Sequence, residues 1–289
     1  MTNNPQFQRP SFQFSARKSP LAITVGILVL IGVLFTALSG FYADWLWFKS
    51  VNFTNTWSTI LTTKATLFVV SGLLTAFIVM FNVLLAYKRR PLYVPMTVEA
   101  DNLERYRSQV EPIRRPLVIG LTIALFYFAG SAGSQMWSTW LLFKNSTPFG
   151  VTDPQFNMDI SFFAFRLPFW QTLISWGIST AILAILASVA VHYLYGGIRL
   201  QVQEDRTTVA ARVQLSVLLG LVVLLKAVAY WFDRYALALK ESRLITGLTY
   251  TDVNAVLPAK AILTGIAIVC SLLFFANIVR RSWVLPAAG

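Results

Sequence analysis

The sequence predicts an all-α fold, a polytopic membrane bundle of six transmembrane helices with short interfacial helices on one side. Three observations carry this. Charged residues make up 12% of the 289-residue chain and hydrophobic ones 56%, with a mean hydropathy of +0.62, whereas an ordinary soluble domain has about 25% charged residues. Apolar runs of about twenty residues recur along the chain, the length a helix needs to cross a hydrocarbon core about 30 Å thick. These runs lack the alternation and the ~10-residue length of barrel strands, and in lipid only a helix or a closed barrel satisfies every backbone polar group.

The elements follow in order. A polar, proline-punctuated tail, residues 1–20, is expected to be disordered and cytoplasmic, and Ser19-Pro20 opens the first span, Leu21 to Ala43. Arg17 and Lys18 ahead of it, and Ala37-Leu38-Ser39 within it, imitate a secretion signal. The apolar stretch exceeds the roughly 7–15 residues of a signal core, and five more spans follow, so it is read as a membrane helix. The second span is Ala65 to Tyr87. Prolines 91, 95, 112 and 116 then bracket a segment from Thr97 to Val110 with the makeup of a short surface helix, Glu99 and Asp101 favouring its start. The remaining spans are Pro116 to Trp137, Pro168 to Tyr195, Val213 to Phe232 and Lys260 to Val279. Arg280 and Arg281 close a turn, and the apolar start from Trp283 to Ala288 reads as a further span cut short. Gly72 with Ala76, and Ala184 with Ser188, have the small-residue spacing that lets helix backbones approach. The run from Ala129 to Ser134, AGSAGS, is a candidate helix break in the third span.

Orientation follows from lysine and arginine. Fifteen of the 24 fall in the tail, the 88–115 and 196–212 loops and the carboxyl end, against eight on the opposite side, and acidic residues divide equally. The richer side is cytoplasmic by the positive-inside rule, which puts both termini of the chain there in a cell membrane. The same excess attracts anionic lipid head groups. Net charge is +12, but without a basic stripe on a soluble fold it reports topology and lipid contact, and no nucleic-acid partner is expected.

The outer side differs in kind. Eight of nine tryptophans lie in outer loops or outer span ends, leaving Trp283 inside. The stretches from Asp44 to Lys49 and from Ile160 to Phe169 are aromatic and too short to span, so they are expected to lie along the interface. Lys226 stands in the fifth span six residues before Phe232, about 9 Å of helical rise from its expected outer end. A central lysine costs about 2.5–3.5 kcal/mol on insertion scales, and one near the rim can snorkel outward along its stem. Lys226, Tyr230 and Asp233 share a helical face, which with Arg234 and Asp252 defines a candidate polar cluster at the outer rim.

Cys270 is alone and mid-span, so no disulfide framework or paired metal ligand arises from it. His192, near the inner end of the fourth span beside Tyr193 and Tyr195, reads as an interfacial packing residue. There is no glycine-rich phosphate loop, paired metal-ligand motif or nucleophile elbow, and no cofactor or metal is expected.

Four blocks in order, YADWLWF (42–48), PFGVTDPQFNMDISFFAFRLPF (148–169), LLKAVAYWFDRY (224–235) and GLTYTDVNAVLPAK (247–260), closely resemble Uncharacterised Protein Family 0182, bacterial multi-pass membrane proteins. The resemblance runs from about residue 21 onward and carries no catalytic residue with it. Members resembling this chain continue into another span and a large extracytoplasmic region, so the resemblance implies the membrane part of a cell-envelope protein.

Three function classes are compatible with these features. The leading one is a membrane module that anchors or assembles an outer region, its own or an envelope partner's. The second is a transporter or lipid flippase component using Lys226, Asp233 and Asp252, though no acidic residue lies deep in a span. The third is an intramembrane lipid-linked glycosyltransferase-like enzyme drawing on the outer-loop carboxylates Asp44, Asp153 and Asp159.

Overall fold

The computed structural model describes residues 20–91, 98–199, 206–241 and 246–280. It is all-α: helices α1 (Pro20–Ser50), α2 (Thr54–Lys88), α3 (Val98–Ser134), α4 (Trp137–Lys144), α5 (Leu167–Leu194), α6 (Val209–Ala236) and α7 (Leu257–Arg280) follow one another, with only isolated β-bridges among the described residues. Among the described residues, six stretches are long and apolar enough to cross a membrane: Thr24–Ser50, Thr54–Lys88, Leu103–Ser134, Phe162–Leu194, Val209–Leu239 and Asp252–Val279. The expected tail at 1–19 and the expected further span at 281–289 lie outside the described residues.

Residues up to Ile60 and residues from Leu61 onward form two compact units. The first holds α1, a tight turn and the opening of α2. Phe53 N–H bonds to the Phe48 carbonyl at 2.9 Å, and Asn52 takes a positive φ of 59° to reverse the chain. Phe41 meets Trp57 edge-on at 5.0 Å. Asp44 to Lys49, expected as an interfacial segment, belong to the last turns of α1 itself, because nothing in that run ends a helix.

The second unit is a bundle whose exterior is apolar and whose interior is partly polar. Leu73, Phe77, Phe81 and Leu84 on α2, and Ile262, Ile266, Val269 and Leu272 on α7, form exposed apolar stripes. Thr75, Asn82, Thr180, Ser188, His192, Gln214, Ser216, Ser271 and Asn277 face inward. Small residues and hydrogen bonds between helices do the packing that burial of oily surface does in water, an arrangement that fits a membrane protein. Gly72 lies against the main chain of Phe126 and Gly130 against that of Phe68, so α2 and α3 approach closely while Phe68 and Phe126 meet edge-on at 5.4 Å. Ala76, Ala184 and Ser188 are buried as their spacing predicts.

Three boundaries differ from the sequence expectation. Helix α3 is continuous from Val98 through Pro112 and Pro116, with no separate surface helix, and it ends at Ser134, the last residue of the AGSAGS run, before the expected span end at Trp137. Each proline removes one N–H, and Glu111 holds the segment across that gap by accepting from Tyr87 and Tyr195 hydroxyls at 3.2 and 3.0 Å and from Arg114 at 2.9 Å. The segment from Ile160 to Phe169 is the opening of the α5 span, running through a π-turn at Phe162–Arg166. The short aromatic helix at this end is instead α4, Trp137–Lys144.

The bundle thus has a tryptophan end, where α3 gives way to α4 and where α5 and α7 begin, and a tyrosine end, where Tyr87, Glu111 and Tyr195 meet.

Candidate functional site

The loops at the tryptophan end carry most of the expected site residues. Asp159 organises the first of them. Its carboxylate accepts from the main-chain N–H groups of Phe149, Gly150 and Ser161 at 3.1, 2.9 and 2.8 Å, and Gly150 needs its positive φ of 74° for that approach. The Ser161 hydroxyl, followed by these main-chain donors, holds the Asp159 carboxyl down at about 2. Asp153 caps the intervening turn through Gln155 and Phe156 N–H at 2.9 and 2.7 Å. Both carboxylates expected here as catalytic candidates are therefore committed to main-chain donors. Asp44, the third, is exposed on α1 in the first unit.

The second loop is built around Asp252, which is 1% exposed. Lys240 Nζ bonds both of its oxygens at 2.9 and 3.2 Å, and Thr249 gives its N–H at 3.0 Å and its hydroxyl at 2.7 Å. Asp252 N–H returns to Thr249 Oγ1 at 3.2 Å, a reciprocal cap on the helix start.

The two loops open onto their helices in the same way. A capping residue (Asp159 or Thr249) precedes two helical residues, a five-residue π-turn, then Leu-Pro: Leu167-Pro168 and Leu257-Pro258. A proline nine residues after the cap cannot bond the carbonyl four back, and the wider turn accommodates it. Leu167 and Leu257 are both buried at the junction.

The rim cluster is divided. Lys226 Nζ lies over the Tyr230 ring at 5.2 Å, while Asp233 accepts from Lys260 at 3.3 Å and Asp252 from Lys240. Arg234 stacks over Trp231 at 4.5 Å. Lys226 and Asp233 share an α6 face but not a bond, because α7 brings Lys260 to the carboxylate first. Helix α6 also runs to Ala236, ten residues past Lys226, so the amine lies about 15 Å from the helix end rather than about 9 Å. The tyrosine ring supplies its local partner. Aromatic side chains close the rest of this end: Phe143 stacks on Phe169 at 4.1 Å, and Phe156 and Phe162 meet Tyr235 at 5.1 and 5.6 Å. Among the described residues no three His, Cys, Asp or Glu side chains are grouped to hold a metal ion.

Sequence reasoning missed a second polar group, inside the bundle. The Gln214 amide donates to the Asn82 carbonyl at 2.9 Å and reaches Asn82 Oδ1 and Ser188 Oγ at 3.2 Å, while His192 Nε2 donates to Gln214 Oε1 at 3.0 Å. His192 is 1% exposed, a core residue rather than an interfacial one. Asn82 and Gln214 interrupt otherwise apolar spans, which was the available signal. Lys240 and Lys260 carried no comparable signal, since nothing periodic ties them to their carboxylates.

A profile of the uncharacterised protein family UPF0182 matches residues 21–289. The chain belongs to UPF0182. Relatives bear this out: a UPF0182 protein of Streptomyces coelicolor is 46% identical over 95% of this chain, one of Nocardioides sp. 42% over 99%, and one of Thermobifida fusca 44% over 93%. These alignments take in 28%, 28% and 27% of the relatives, so the chain spans little more than a quarter of their length. No solved structure matches. The blocks that suggested UPF0182 in the sequence include both capped openings, Asp159 to Pro168 and Thr249 to Pro258.

Proposed function

We propose that this chain is the membrane module of a UPF0182 protein, anchoring and orienting the extracytoplasmic region that the longer relatives have room to encode. It sits in the cell membrane with the tyrosine end cytoplasmic, where Lys88, Arg89, Arg90, Arg105, Arg107, Arg114 and Arg115 cluster in and around one connection. The tryptophan end then faces outward as the docking platform.

One observation carries this reading. The two loops at the tryptophan end are pinned by their own side chains, Asp153 and Asp159 in one and Lys240 with Asp252 in the other, yet they expose Phe149, Val151, Leu239 and Tyr250, the last at 85%. A preordered surface that shows apolar side chains loses little entropy when a partner covers it. The same bonds weigh against the enzyme reading, which needs Asp153 and Asp159 free to act on a substrate.

Photocrosslinking tests it on the full-length protein in its own membrane. With a photoreactive residue at position 149 or 250, crosslinks to peptides beyond residue 289 are expected. Adducts to lipid alone at both positions overturn the docking role.

A further inference from the structure

The tyrosine end contains a site that the anchoring role does not use. Arg90 and Arg107 line one cleft of about 410 Å³ together with Pro91, Glu104, Glu111 and Tyr195. The Arg90 guanidinium stacks over Tyr87 at 4.2 Å and Tyr195 at 5.5 Å, and Arg107 lies over Tyr195 at 5.5 Å. The rings hold the guanidinium planes in place; Arg107 spends one terminal nitrogen on the Leu194 carbonyl at 3.2 Å, while Arg90 keeps its N–H edge open to the cleft. Neutralisation is incomplete. Glu111 is occupied by Arg114 and the two tyrosine hydroxyls, and Glu104, 74% exposed, is 3.9 Å from Arg107, a weak surface pair. Arg90 has no carboxylate within ion-pair distance among the described residues, and the buried Nε of Arg107 has no hydrogen-bond partner there.

Tyr195 also lines a second cavity, an apolar groove of about 470 Å³ between α2, α3 and α5, walled by Val83, Val118, Leu121 and Ala190, with Arg114 on its lining. From Arg107 to Leu121 is fourteen residues of α3, a rise of about 21 Å. That covers a head-group layer and one hydrocarbon leaflet of about 15 Å. An arginine-bearing, aromatic-backed pocket that adjoins, across Tyr195, an oily groove of leaflet depth has the polarity profile of one molecule, a phosphate carrying acyl chains.

We infer that the groove between α2, α3 and α5 holds one anionic phospholipid, its phosphate between Arg90 and Arg107 and one acyl chain along Val83, Val118 and Ala190. This rests on the helices lying in a bilayer and is independent of the docking role at the other end. It also differs from a diffuse basic surface, because it is a single site with a defined stoichiometry and a tail requirement.

The test uses the purified chain in mild detergent, with lipid binding followed by native mass spectrometry and by thermal unfolding. Three probes separate the components: phosphatidylglycerol, phosphatidylcholine with the same acyl chains, and glycerol 3-phosphate, which carries the phosphate without a tail. Phosphatidylglycerol is expected to bind one to one and roughly tenfold or more tighter than phosphatidylcholine. Arg90→Gln with Arg107→Gln should remove that preference and leave phosphatidylcholine binding unchanged. Ala190→Phe, which fills the groove away from both arginines, should weaken both lipids and keeps the test decisive if the arginine double variant fails to fold. Equal binding of the two lipids overturns the proposal. So does undiminished phosphatidylglycerol binding by Ala190→Phe, and so does glycerol 3-phosphate binding as tightly as the lipid, which makes this a free-phosphate site.

Discussion

Asp159 illustrates how a single carboxylate does its work through the main chain. Three N–H groups and a serine hydroxyl stabilise its charged form, which lowers its pKa from the ordinary 3.8 to about 2. A depressed folded-state pKa means that the stabilisation is complete above about pH 4 and disappears as pH falls through 2. Asp159→Ala is therefore expected to lower the Tm of the purified chain at pH 7, with the gap to the parent protein narrowing between pH 4 and pH 2. A gap that stays constant over that window would show that the carboxylate charge is not what holds the loop. Gln214 works differently. Its amide is spent on four groups of three residues inside the bundle, where an unpaired polar group costs about 1–3 kcal/mol, so it fixes how α2, α5 and α6 align. The sequence shows that Asn82, His192 and Gln214 are polar positions in apolar spans, but pairing across 132 residues is invisible to any local pattern.

Among the elements, the α2–α3 contact is the most demanding sterically. A Cβ at Gly72 would lie 2.6 Å from the Phe126 carbonyl oxygen, and one at Gly130 would lie 2.8 Å from that of Phe68, in each case main chain that cannot rotate away. Gly72→Ala should destabilise the chain by about 1–3 kcal/mol, the usual cost of overpacking. Gly120, on the same α3, has open space around it, and Gly120→Ala should be neutral or stabilise by up to about 1 kcal/mol through helix propensity. Unfolding in a detergent series compares the two, and equal effects would mean that the close approach carries no energy. The paired openings of α5 and α7 are the other element-scale finding. Read as letters, DISFFAFRLP and TYTDVNAVLP share little beyond Leu-Pro, which is why no repeat is evident in the sequence. The likeness lies in backbone geometry that a cap and a proline impose nine residues apart, with different side chains filling the turn between them.

At the scale of the whole molecule, apolar side chains face outward and polar ones inward, as the Phe77 and Phe81 stripe and the buried Asn277–Ser216 bond at 2.6 Å illustrate. That inversion, with six helices of sufficient length, fits immersion in lipid. The proposed orientation makes a testable map. After Cys270→Ser removes the native thiol, a cysteine at position 105 should react with an impermeant reagent only when the cytoplasmic face is opened, and one at position 153 should react on intact cells. The reverse pattern would invert the topology and move the docking platform to the cytoplasm. Helix number and most span positions were legible from hydropathy alone, because length and oiliness are local properties. Helix ends were not: α3 begins eighteen residues before Pro116, and α2 begins eleven before Ala65, since polar residues continue a helix wherever neighbouring elements supply bonds.

By itself the sequence determined the all-α class, six apolar stretches, the charge asymmetry between connections and the membership of UPF0182, all of which depend on composition and order along the chain. Only the tertiary structure decided which charge meets which. It gave Asp233 to Lys260 and Asp252 to Lys240, put His192 in the core, and set Arg90 and Arg107 on one cleft that shares Tyr195 with an apolar groove. Those outcomes depend on which helix faces which, and the energy that selects a partner comes from distances between segments that hydropathy cannot measure.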